Sequence, residues 1–264
     1  MKYNRRIYLV LFLLLVISVK GFCGIDEYRV DATSLALGKA FAGDAEAQRY
    51  LNPAAVFQEY PRHLSYTYSS LQPLDLSSQL MTIMINSFSI TLLDERVQDV
   101  AGFEYKERMH VLSYGLKIGT TTGIGLSVRE YTINCGDFNN KAYGYDLAIL
   151  QNWKRFSLGG IVTNLGSNIT SPVSEDETIL PTARLGISIT MPYGGKFNLD
   201  YDEKKQVYLG YQQIITQGLV LRVGVEAGEP RFGFGITDHR LKFDYVYSAN
   251  SFCNEQRISL GIHF

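Results

Sequence analysis

From His63 to the last residue the chain alternates between apolar and small or polar side chains with a period of two. In the final segment Ile258, Leu260, Ile262 and Phe264 alternate with Arg257, Ser259, Gly261 and His263. Before it, Leu241, Phe243, Tyr245 and Tyr247 alternate with Lys242, Asp244, Val246 and Ser248. Earlier still, Leu219, Leu221, Val223 and Val225 alternate with Val220, Arg222, Gly224 and Glu226. Such a period places one set of side chains on each face of a strand. One face is apolar or aromatic. The other is Gly, Ser, Thr and isolated charges, where a soluble sandwich would carry more Lys and Glu. The pattern predicts a transmembrane antiparallel β-barrel whose outer face meets lipid and whose interior is packed or narrow.

Counting segments gives about fourteen strands, an even number as bacterial barrels require. The expected spans are 63–71, 76–86, 88–94, 107–119, 122–134, 141–153, 156–166, 178–192, 196–203, 206–215, 219–229, 231–238, 241–250 and 255–264. The connections sort by length. Short turns near 87, 120–121, 154–155, 193–195, 216–218 and 239–240 fall on the side of the C-terminus. Longer loops at 94–106, 135–140, 166–177 and 251–254 fall on the other. The first set is assigned to the periplasm and the second to the cell exterior. Gly194-Gly195 and Thr216-Gln217-Gly218 supply the positive φ that tight hairpins favour.

The N-terminus reads as a signal peptide over 1–23. Lys2, Arg5 and Arg6 precede an apolar run at 7–19 that is too short to span a bilayer comfortably. A membrane anchor is the alternative reading. Phe22 stands before Cys23 where a lipobox wants a small residue, so lipidation is not expected. Charged residues make up 19% of the chain and the formal net charge is −1, which gives no reason to expect a nucleic-acid partner. Cys135 and Cys253 both fall in predicted outer loops. A bridge between them would require both loops to fold over the mouth.

Residues 24–62 lack the two-residue period. Asp31 is a candidate N-cap for a helical stretch from Ala32 to about Leu51, with Leu35, Leu37, Ala40, Phe41, Ala45 and Tyr50 on its apolar side. Gly38 and Gly43 interrupt it and permit close approach to another surface. Asn52-Pro53-Ala54-Ala55 then offers an N-cap followed by a proline at the first helical position. The run Gly38-Lys39-Ala40-Phe41-Ala42-Gly43-Asp44-Ala45, followed by Tyr50-Leu51-Asn52-Pro53-Ala54, resembles the start of mature FadL-type barrels and is still closer to the related PorV/PorQ type. Leu180-Pro181-Thr182-Ala183-Arg184-Leu185-Gly186 resembles a strand-entry signature of the PorV-like branch. The segment from Arg257 to Phe264 resembles the terminal strand read by the barrel-assembly machinery. The resemblance implies three parts: a signal peptide (1–23), a helical plug segment (24–62) inside or under the mouth, and an outer-membrane β-barrel (63–264). Gly38, Gly43, Asp44, Asn52, Pro53 and Ala54 are its plug motif, and Phe264 its assembly signal. The chain is shorter than the fatty-acid transporters and lacks long outer loops.

The lumen is expected to contain Arg184, Asp200, Arg222, Glu226, Lys242, Asp244 and Arg257, either as an ion-pair ladder bracing the barrel or as a permeation surface. Asp44 and Asn52 are expected to contact inward Arg or Tyr side chains. His63, His110, His239 and His263 are scattered without ligand spacing, so no metal or cofactor is expected. Ser113 and His110 fall on opposite strand faces, and no catalytic site is expected. Two functions follow. One is a channel or carrier for a small hydrophobic molecule. The other is a non-transporting, PorV-like barrel that holds a secreted protein or secretion-machine partner at the outer membrane. Partners of either would include outer-membrane lipid and the barrel-assembly machinery, with a hydrophobic ligand or a secreted protein besides.

Overall fold

The fold was analysed in a computed structural model that describes residues 30–57, 62–72, 75–100, 103–135, 138–170, 177–178, 181–249 and 254–264. The signal peptide, Cys23 and Cys253 lie outside the described residues, as does the side chain of Cys135. Fourteen antiparallel strands are joined in sequence order. They are β1 Arg62–Gln72, β2 Leu76–Ile85, β3 Phe88–Val100, β4 Phe103–Ile118, β5 Thr122–Cys135, β6 Phe138–Asn152 and β7 Phe156–Thr170. There follow β8 Thr182–Thr190, β9 Gly195–Asp202, β10 Val207–Thr216, β11 Leu219–Glu226, β12 Glu229–Asp238, β13 Leu241–Ala249 and β14 Asn254–His263. The short piece Glu177–Thr178 pairs with the same edge of β7 that β8 occupies, so it extends that strand. β1 closes the cylinder on β14, with Tyr66 opposite Leu260 and Thr67 opposite Ser259. Closure satisfies every edge, which a membrane demands of a sheet.

The two-residue period becomes two surfaces. Outward are Phe88, Ile90, Leu112, Leu147, Ile149 and Leu260, all exposed. Inward, short hydroxyl side chains bond across neighbouring strands: Thr67 to Ser259 at 2.6 Å, Thr82 to Thr91 at 2.9 Å, Ser113 to Ser127 at 2.8 Å and Thr163 to Thr182 at 2.6 Å. Each hydroxyl finds a partner without needing water.

Two expected loops are strands instead. Within the segment 94–106, β3 continues to Val100 and β4 begins at Phe103, with Asp94 opposite Arg108 and Arg96 opposite Lys106. Its charges suggested a loop, yet Glu95 is buried on the inner face and Asp94 on the outer face is held by Arg96 at 2.8 Å and by Lys106 and Arg108 at 3.3 Å. β7 likewise runs to Thr170, through a bulge at which Asn164 has φ 59° and Gly166 φ 65°.

The expected helix from Ala32 to Leu51 is also corrected. Only α1, Ala32–Ala36, is helical; Asp31 caps it by accepting from the Ser34 N–H at 2.7 Å. At Gly38 (φ 62°) and Lys39 (φ 59°) the chain enters the left-handed region and thereafter makes successive turns. A helix is a cylinder about 10 Å across. At Gly38 the wall leaves no room for a side chain, because a Cβ there would overlap the Leu209 carbonyl and the Val225 backbone. The unwound backbone lies directly on inward-facing glycines. Gly125 underlies Pro53, Gly159 underlies Ala42, and Gly224 underlies Gly38. Leu35, Phe41, Tyr50 and Leu51 are each at least 98% buried, worth about 1.5–3 kcal/mol apiece in apolar burial.

Two adjacent glycines separate the surfaces. A Cβ at Gly159 would overlap the Ala42 carbonyl, whereas one at Gly160 points to lipid and meets only the tip of Leu185, at 3.2 Å. Gly159→Val should lower the temperature at which heat-modifiable migration is lost, by an amount matching at least about 1–3 kcal/mol of overpacking. Gly160→Val should leave that temperature within about 2 °C, near what a change of 0.5 kcal/mol produces. Phe264 points outward and its N–H donates to the Arg62 carbonyl at 3.2 Å. Phe264→Asp is expected to reduce the folded, membrane-inserted fraction on gels, and wild-type levels of insertion would remove its role in assembly.

Candidate functional site: a lumen filled by its own N-terminal segment

A buried segment with little regular structure must find partners outside itself for the peptide groups its turns leave unbonded. The barrel wall provides them. Asp200 on β9 accepts from the N–H groups of Phe41 and Ala42 at 2.8 and 2.7 Å. Arg184 on β8 donates to the Lys39 carbonyl at 2.8 Å, and Asn198 to the Ala40 carbonyl at 3.1 Å. Ser157 donates to the Gly43 carbonyl at 2.6 Å and Arg129 to that of Tyr50 at 2.7 Å. Arg257 donates to the Val30 carbonyl, and Ser259 accepts from the Ala32 N–H at 3.0 Å.

The same wall side chains are paired among themselves. Arg129 meets Asp146 at 2.5 Å, Arg222 meets Asp244 at 2.7 Å, and Lys242 meets Asp244 at 3.1 Å. Arg184 lies 3.9 Å from Asp200 and stacks over Phe41 and Tyr208, with 4.6 and 3.9 Å to the ring centroids. Glu226 binds Arg231 and, across the lumen boundary, Lys39 of the plug at 3.2 Å. Arg257 pairs with Glu255. Of the seven residues expected in the lumen, Arg184, Asp200, Glu226, Lys242 and Arg257 each bond a plug residue, and Arg222 pairs with Asp244. Arg222 and Glu226, four apart on β11, do not pair with each other; each is taken by a different neighbour. A buried ion pair is tolerated where further hydrogen bonds support it.

The plug motif is placed as follows. Gly38 and Gly43 are contact points with the wall. Asp44 bonds Lys196 at 2.8 Å and Asn198 at 3.2 Å, not an arginine or tyrosine. Asn52 serves its own segment, donating to the Ala42 carbonyl at 2.9 Å and accepting from the Ala54 N–H at 3.0 Å, with Pro53 in the turn between. An Asx turn is short, and so it replaces the expected inward contacts. Sequence reasoning missed Arg129, Asp146, Lys196 and Asn198. Their signal was the alternation itself: in Val128-Arg129-Glu130 only the middle residue shares a face with the buried Ser127 and Tyr131, while Glu130 faces out to His110 at 3.1 Å.

The structure also brings together two histidines that look scattered in sequence. His63 and His263 are opposed across β1 and β14, with ring centroids 5.8 Å apart, and His63 bonds Gln48 of the plug at 3.1 Å. No group of three or more His, Cys, Asp or Glu positioned to hold a metal occurs among the described residues. Ser113 is inside and His110 outside.

The wall carries a recess between β5 and β8. An apolar recess of about 530 Å³ is lined there by Leu126, Leu147, Ile149, Val162 and Leu185 on the lipid side and by Ala148 and Ile161 from within. Gly125 and Gly160 contribute no side chain to this stretch, and the β7 bulge adjoins it.

No protein-family model matches the sequence, and no curated protein matches it. Solved structures do match the fold. The CymD monoaromatic hydrocarbon channel aligns with a TM-score of 0.61 at 11% identity, covering 91% of this chain and 99% of that one. The toluene transporter TbuX of Ralstonia pickettii gives 0.61 at 10% identity over 89% and 98%, and a Pseudomonas aeruginosa FadL homologue 0.58 at 10% over 90% and 99%. At 10–11% identity the likeness shows the fold, and the PorV/PorQ branch of the sequence resemblance finds no support in it.

Burial alone would push the Asp44 carboxyl upward, but the Lys196 ammonium 2.8 Å away and the hydrogen bonds around it hold it below its ordinary 3.8. A carboxyl lowered by folding contributes stability that is complete above pH 3.8 and is lost as pH falls through the folded value. Ion conductance in planar bilayers should therefore stay low from neutral pH to about 4 and rise below. Asp44→Asn should leak more at neutral pH and lose that acid step.

Proposed function

We propose that this chain is an outer-membrane channel for small hydrophobic molecules. The carrying observation is the combination of a lumen occupied by residues 30–57 with an apolar recess in the wall beside it. A filled lumen favours small solutes over bulk water. The recess is lined almost wholly by aliphatic side chains, which discriminate by apolar burial and cannot hold a hydrated ion. The FadL-type neighbours, described as a monoaromatic hydrocarbon channel and a toluene transporter, support the same solute class. The outward apolar belt, the short turns on the side of Phe264 and an N-terminal segment that reads as a signal peptide support placement in the bacterial outer membrane. The cargo-holding alternative rests on the PorV/PorQ resemblance, which the structural neighbours do not support.

Cells producing the protein should take up a labelled monoaromatic hydrocarbon faster than cells lacking it. Gly160→Phe, which occupies the recess from the lipid side, should slow uptake several-fold while leaving heat-modifiable migration intact. Equal uptake by all three strains would remove the transport reading. In bilayers, deleting residues 24–55 should raise single-channel conductance where the truncated barrel inserts. Unchanged conductance would mean that the segment does not close the lumen.

A further inference from the structure

Seven Lys and Arg side chains are buried among the described residues, and six of them lie within ion-pair distance of a carboxylate. The seventh is Arg49, in the plug. Its side chain is 3% exposed, and its Nε and Nη1 donate to no partner. It is also firmly placed. Gln48 on one side is bonded to His63, the Tyr50 carbonyl on the other is held by Arg129, and the turn is closed by the Leu51 N–H to the Gln48 carbonyl at 2.9 Å. Arg49 therefore has no freedom to swing away at its backbone.

Burial depresses the Arg49 guanidinium to about 10, with no charged neighbour to offset it. Even so the group is a full cation at neutral pH. An uncompensated buried cation costs several kcal/mol, and water solvates a charge without neutralising it. A guanidinium in this condition is matched by an oxyanion, which can accept from its N–H groups.

We propose that Arg49 is an oxyanion-binding site inside the lumen, occupied by a carboxylate or phosphate group that completes the charge balance of the plug. The site belongs to the plug and stands independently of the transport reading. Two sources can supply the anion: a free small ion, or the head of an amphiphile lodged in the lumen.

The test uses the full-length protein in neutral-detergent micelles. The midpoint for thermal loss of heat-modifiable migration is followed in chloride buffer with added acetate, inorganic phosphate or octanoate. The expected result is a saturable rise of about 2–4 °C or more with at least one of them. Arg49→Lys should keep a weaker response. Arg49→Met should lose it and be no less stable than wild type in plain chloride, because the buried charge is gone. A response to acetate or phosphate assigns a free anion; a response to octanoate alone assigns an amphiphile head. A wild-type midpoint unmoved by all three up to about 100 mM would overturn the proposal, since that concentration saturates sites as weak as millimolar. So would an Arg49→Met response equal to that of wild type. If Arg49→Met does not fold, the wild-type titration and Arg49→Lys decide between these outcomes.

Discussion

A buried stretch of irregular backbone has to be hydrogen-bonded by something, and in this protein that requirement organises the interior. Turns within residues 37–57 satisfy some of their N–H and C=O groups, such as the Ala40 N–H on the Leu37 carbonyl and the Leu51 N–H on the Gln48 carbonyl, and the others need partners outside the segment. The barrel supplies side chains at the matching heights, with Asp200 for two amides and Arg184, Asn198, Ser157 and Arg129 for carbonyls. Once charged groups are spent on the plug, their own charges need partners, and the wall pairs them. The inner ion pairs are thus a consequence of holding the plug as much as a brace for the cylinder.

Close approach sets the second condition. A side chain can reach a plug peptide group at about 2.8 Å only where the backbones are allowed to come together, and the inward glycines permit that. Gly125, Gly159 and Gly224 each replace what would be a steric wall with a bed for the plug backbone. The cost falls on the wall, which lacks side chains where glycines occur on both faces. Gly159 faces in and Gly160 faces out at successive positions of β7, and the apolar recess lies beside the second. Sealing the lumen and leaving a recess in the wall therefore arise from the same residue choice.

The interior is closely matched at most points, which is what gives the exception at Arg49 its meaning. A wall that finds a carboxylate for Lys39 across the plug boundary leaves one buried arginine, Arg49, without any among the described residues. The plug is anchored on both sides of that residue, so the mismatch is built into the turn and cannot relax by a backbone movement.

The sequence by itself determined the architecture. The two-residue period is a direct record of which face meets lipid, and a closed sheet is the one strand arrangement a membrane accepts, so strand number, facing and closure follow from the alternation in segments such as 241–248 and 257–264. It also determined which charges point inward, because facing is a matter of parity. Tertiary structure alone decided partners. Arg222 and Glu226 share a strand, yet Arg222 goes to Asp244 and Glu226 to Lys39 and Arg231, since cross-strand register and plug position are long-range properties. The 94–106 stretch was misread because charge occurs in loops and in strands alike. Residues 32–51 carry an apolar helical pattern, but α1 stops at Ala36. Propensity is a local preference of a few tenths to about 1 kcal/mol per residue, and the close wall, which leaves no room for a side chain at Gly38, outweighs it.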